Sequence, residues 1–169
     1  MAHLLGGNTA AGVAAFRELA PDDFAAIPRD MFWFTAIALL GETCALIGDT
    51  EQAAVLYRLL QPHSERMVQV TQAANLGSTH RFLALLSAAC GDLGAAEHHF
   101  ETALQVNRPL RPVVALMRRE YAEMLIARDQ DGDRTRAEAL LRQTLREAQE
   151  GGMSQLISRV ESRLAELSA

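Results

Sequence analysis

Apolar residues recur at steps of three and four along most of the chain, with polar residues between them. In "MSQLISRVESRLAEL", Met153, Leu156, Ile157, Val160, Leu164 and Leu167 share one helical face, while Arg159, Glu161, Arg163 and Glu166 lie elsewhere. The spacing predicts an amphipathic helix over 153–167. The same period runs through "MFWFTAIALLGETCALIG", "STHRFLALLSAACG" and "PVVALMRREYAEMLIARDQDG", where Ser78 and Pro112 stand at expected helix starts. Alternating β-branched runs broken by Asn-Gly turns are nearly absent, so an all-α fold is expected.

Between these helices a second pattern repeats. "GDTEQAAVLY" from Gly48, "GDLGAAEHHF" from Gly91, "GNTAAGVAAF" from Gly7 and "GDRTRAEALL" from Gly132 set a small residue five places on (Ala53, Ala96, Gly12, Ala137). A bulky one follows nine places on (Tyr57, Phe100, Phe16, Leu141). The four glycines lie 41, 43 and 41 residues apart, a period that marks stacked helical hairpins. Glycine can end a helix in a left-handed conformation, and the Asp or Asn beside it can accept from open amides of the next helix. The small residue lets two backbones approach, and the bulky one, a turn later, fills the space between hairpins. Leu40-Gly41, Leu83-Ala84 and Tyr121-Ala122 supply matching large–small pairs in the first helices.

These residues resemble a tetratricopeptide repeat, in the longer-period form found C-terminal to ATPase modules in bacterial transcriptional activators and nucleotide cyclases. The resemblance is best over Gly77 to Leu104 and covers most of the chain. It implies one antiparallel helical-hairpin solenoid across residues 1–169, with a partial repeat at 1–20, repeats at 30–61, 78–107 and 112–150, and the capping helix. It also implies a module, without catalysis, that binds a protein or peptide within a larger regulator. A metabolite sensor and an oligomerisation scaffold are the alternatives. Departures from the pattern are His80 and Arg118, where a large apolar residue is expected early in the first helix, and Cys44 and Ser87 at a later tyrosine position. "MAHLL" reads as the tail of a helix whose body is missing. The Phe16 face is therefore expected to be frayed or covered by a second copy.

Composition narrows the picture. Apolar residues form 49% of the chain, enough for a globular core. The net charge is −5, which draws the chain to neither nucleic acid nor anionic lipid. Every basic residue is arginine. With only Cys44 and Cys90, a reduced cytoplasmic protein is expected in preference to a disulfide framework. No apolar run reaches membrane-spanning length.

Candidate chemistry is sparse, and no cofactor, metal or enzymatic activity is expected. His98 and His99 are adjacent, diverge by about 100° on a helix, and read as a solvated flank. His63 and His80 have no Asp or Cys at a useful offset. Asp129, Asp131 and Asp133 alternate as in a calcium loop, but Gly132 and Leu140 stand where such a loop needs other residues, leaving a capped turn. The cluster Arg108, Arg111, Arg118 and Arg119 lacks the aromatic platform expected for single-stranded nucleic acid. Nucleophile elbows and phosphate loops are absent.

Aligning the first helices on their large–small pairs places Thr35, Ala38, Glu42, Arg81, Leu85, Arg119, Glu123 and Ile126 toward a groove. Arg81 and Arg119 take equivalent positions one repeat apart. They either clamp a partner's carboxylate bidentately or pair with Glu42 and Glu123. Trp33 is either core or an exposed anchor. Residues 61–78 form either a short helix or an ordered loop across one edge.

Overall fold

The computed structural model describes residues 9–71 and 74–168. The chain divides into two compact units, residues 1–99 and 100–169.

The first unit opens with α1 (Thr9–Leu19) and a short helical turn at Pro21–Phe24, followed by α2 (Trp33–Ile47) and α3 (Thr50–Leu60). After a 3-10 turn at Gln61–His63 come β1 (Met67–Thr71), β2 (Ala74–Ser78) and α4 (Thr79–Ala89). Helix α5 (Leu93–Val106) carries the boundary between the units. The turn between α2 and α3 follows the expected physics. Gly48 caps α2 at φ 77°, and the Asp49 carboxylate accepts from Gln52 N at 3.1 Å. Asp92 does the same for Ala95 N at 3.0 Å before α5.

Phe16, Phe34, Ile37, Ala38, Ala53, Leu56, Leu60, Phe82, Leu83 and Leu86 form one buried cluster. The helices α2, α3 and α4 pack on one another around it. A Cβ added at Gly41 would meet Leu86 Cδ1 at 3.2 Å, so the small member of the Leu40-Gly41 pair does allow a close crossing. Phe16 finds its neighbour within the chain. Its ring meets Phe24 edge-on at 5.7 Å, and Phe16 is only 2% exposed, so this face needs no second copy to cover it. Gly7 and "MAHLL" lie outside the described residues.

Residues 61–78 correct the sequence expectation of a purely helical chain. Beyond the 3-10 turn they form an antiparallel ladder pairing Met67 with Ser78 and Val68 with Gly77. In "MVQVT" Val68 is buried in the core while Gln69 and Val70 are exposed, and the ladder's register shifts between Val68 and Gln69. Arg66 O accepts from Thr79 N at 2.9 Å and from Thr79 Oγ1 at 2.8 Å, tying the hairpin to the start of α4. Ser78 has the extended backbone of a helix cap but no capping bond from its side chain.

The second unit contains the end of α5, then α6 (Arg111–Arg128), α7 (Asp133–Glu150) and α8 (Ser154–Ser168). Both α6 and α8 pack on α7. Pro112 sits in the first turn of α6. Ala137 and Leu141 are fully buried, and Phe100 stacks on Tyr121 with ring centroids 5.3 Å apart. The fourth glycine turn differs from expectation: α6 ends at Asp129, itself left-handed at φ 51°, and Gly132 at φ 84° instead precedes α7. On α8, Val160 is buried, while Arg159, Glu161 and Glu166 are exposed.

Candidate functional sites

The predicted strip falls into both units. In the first, Thr35 donates its hydroxyl to Gln69 O at 2.7 Å, bracing α2 against β1. Ala38 is fully buried in the core and cannot line an open groove, a correction that follows from the tight packing at this point. Trp33 is half-buried, with Arg29 4.6 Å from its ring centroid and His63 edge-on at 6.0 Å. Leu85 is half-buried.

Arg81 is 2% exposed; its Nη2 donates to Glu42 Oε1 at 2.8 Å, and its guanidinium lies 5.0 Å from the Phe82 ring centroid. A buried guanidinium needs a carboxylate to offset its lost hydration. Of the two roles predicted for Arg81, the geometry selects internal pairing; the clamp does not hold here, because the group has no accessible face.

In the second unit the predicted partner is taken. Glu123 accepts from Arg163 Nε at 3.0 Å, and Arg163 Nη1 also donates to Glu166 Oε2 at 2.7 Å. These two carboxylates raise the Arg163 pKa, the Glu166 bond first among the causes. Arg119 therefore does not pair with Glu123, contrary to the second alternative. Its Nε is buried and has no hydrogen-bond partner among the described residues. Arg119, Glu123, Arg159, Ser162, Arg163 and Glu166 line an open cleft of about 360 Å3 between α6 and α8. Ile126 is half-buried.

A third constellation contradicts the reading of His99 as part of a solvated flank. His80 Nδ1 and His99 Nδ1 are 2.9 Å apart, and His99 Nε2 lies 3.0 Å from the Tyr57 hydroxyl. His80, in the first turn of α4, and His99, on α5, are each 9% exposed. His98, next to His99 on α5, is exposed, with its ring centroid 5.7 Å from that of His99. Burial, then His80 and His98, push the His99 pKa down from 6.5 to about 4; Asp92 opposes them. Burial also lowers His80, against the pull of Glu65. His63 stands edge-on to Phe34 at 5.4 Å.

Burial raises the thiol pKa at both cysteines, to about 12 at Cys44, so neither is an activated nucleophile. Both are free thiols. In the aspartate turn, Asp133 turns toward Arg128, accepting from Nε and Nη2 at 2.7 Å each. The Arg128 bond, with help from Gln130 N, holds the Asp133 pKa down to about 2. Among the described residues no group of three or more His, Cys, Asp and Glu could hold a metal ion, and no helix is long and apolar enough to cross a membrane.

No family model matches the chain, and no curated protein or solved structure does so either.

Proposed function

We propose that the chain is a non-catalytic interaction module of the tetratricopeptide kind, acting within a bacterial transcriptional or signalling regulator. In this reading its second unit receives a carboxylate of a protein or peptide partner. The observation that supports it is the Arg119 Nε–H, buried without an acceptor at the wall of the α6–α8 cleft. A buried guanidinium N–H without a partner is costly, so the Arg119 side chain gains by turning into the cleft, where a carboxylate meets Nε and one Nη side-on. Arg159, exposed on the facing helix, adds a second cation, and Ser162 adds a neutral donor.

The charges match one carboxylate. Three arginines against Glu123 and Glu166 leave the cleft with a single positive excess. The test is fluorescence anisotropy with a labelled acidic peptide library in two forms, free C-terminus and C-terminal amide. Binders should weaken roughly tenfold or more, about 1.4 kcal/mol, in an Arg119→Gln, Arg159→Gln double variant. Equal affinity of wild type and variant for every binder would overturn the assignment of the cleft.

A further inference from the structure

We propose that His80 and His99 form a proton-operated latch: the pair shares one proton between its two Nδ1 atoms and, when doubly protonated, drives the first turn of α4 away from α5. This inference is independent of the carboxylate cleft, which lies in the other unit.

The proton inventory follows from the geometry. In the neutral pair each imidazole carries one N–H. In one tautomer, His99 donates Nδ1–H to His80 Nδ1 and receives the Tyr57 hydroxyl proton at Nε2. In the other, His80 donates Nδ1–H to His99 Nδ1, and His99 Nε2–H turns to the Tyr57 oxygen. Both fill the hydrogen bonds at 2.9 Å and 3.0 Å. One added proton leaves this chain intact, because the cation still has a single hydrogen between the Nδ1 atoms. A second puts N–H against N–H at 2.9 Å, with two like charges and no acceptor between them. The only relief is separation.

The surroundings bias the pair toward neutrality. Both rings are nearly buried, and His80 sits at the N-terminal, positive end of α4, where a cation is disfavoured. From α3 the pair is faced by Tyr57, with Arg58 beside it on the same helix. From α5 it is faced by His98, which disfavours a further charge, and from the turn before α5 by Asp92, which favours it. Glu65, in the turn before β1, favours protonation of His80. Two carboxylates are thus set against burial and a third histidine, so acid can reach the pair but neutral solution leaves it closed.

The direction of the pH effect is fixed by linkage. With folded-state pKa values lowered below 6.5, the unfolded chain takes up protons first. The pair's stability is therefore fully present above about pH 6.5 and is lost as pH falls from there toward about 4. Because the hydrogen bonds join α3, α4 and α5, the loss should take the form of a local parting of these helices.

Two measurements test the latch. Imidazole 15N NMR on the full chain should show His80 and His99 titrating as a coupled pair in two steps, with the hydrogen bond between their Nδ1 atoms breaking at the second step. Independent single-step titration of the two rings would overturn the proposal. His80→Asn keeps a neutral polar group near the Nδ1 position but cannot take up a proton. Its thermal midpoint should fall no more than about half as far as the wild type's between pH 7 and pH 4.5. An equal fall in both proteins would also overturn it. Should the variant fail to fold, the wild-type NMR titration decides alone.

Discussion

The sequence pattern sets Arg81 on α4 and Arg119 on α6 at matching offsets, yet their environments are opposite. Arg81 is sealed, paired with Glu42 and lies against Phe82. Arg119 reaches a cleft, and the carboxylate one turn along its own helix is bound to Arg163 of α8 instead. The difference arises from the neighbour. At Arg81 another helix supplies an acid with no competitor, whereas α8 brings its own cation to Glu123. The same residue type therefore serves as structure on α4 and remains available on α6.

The comparison can be broken most severely at Arg81. Arg81→Ala should cost about 3–5 kcal/mol in urea unfolding, because it strands Glu42 and leaves a cavity. Arg81→Met combined with Glu42→Leu should recover most of that loss, since the pair is worth little against well-packed apolar side chains.

A second buried pair, Arg128 with Asp133, gives the next effect through pH. The Asp133 pKa falls from 3.8 unfolded to about 2 folded, so its stabilisation holds above about pH 4 and is lost as pH drops toward 2. Thermal midpoints measured across that range should fall more steeply in wild type than in Asp133→Asn. This window lies below that of the histidine pair, so the two losses are separable.

Arg163→Ala should cost only about 1 kcal/mol or less, as its partners Glu123 and Glu166 are partly hydrated. The variant should also weaken carboxylate binding by freeing Glu123 to engage Arg119. The smallest effect is expected at Arg119 itself. Arg119→Met should change stability by less than about 0.5 kcal/mol, or stabilise, because it removes a buried donor without an acceptor. Chemical denaturation of both variants beside Arg81→Ala gives the ranking directly.

The repeat signal makes much of the scaffold legible. Ala53, Ala96, Ala137, Phe100 and Leu141 are fully buried as their spacing predicts, since a glycine turn fixes which side of the next helix faces inward. The strands at 67–78 are less visible. "MVQVT" is too short to outweigh a helical background, and its partner strand contains Gly77. The histidine chain is invisible to offsets along a single helix, because Tyr57 on α3 and His99 on α5 stand 42 residues apart. A signal for it does exist in the sequence. His80 and Arg118 both replace an expected large apolar residue, and each has a polar partner in the structure, His99 for one and Glu147 for the other. A polar residue at a buried position demands a partner, and those two departures point to where the partners lie.

The turn that brings Phe24 onto Phe16 has a consequence of handedness. Asp22, Asp23 and Phe24 adopt φ values of 53°, 56° and 62° in succession, a sense that L-residues resist at roughly 1–2 kcal/mol each. For these three positions the mirror-image amino acids are the natural fit. A semisynthetic chain carrying D-Asp at 22 and 23 should be more stable than the genetically encoded one, although no hydrogen bond or apolar contact has been added. Among encoded residues only glycine approaches that relief, and it does so while loosening the unfolded chain. The end of the fold nearest Phe16 is thus held against the chirality of its own backbone, and the burial of two phenylalanine rings is what holds it.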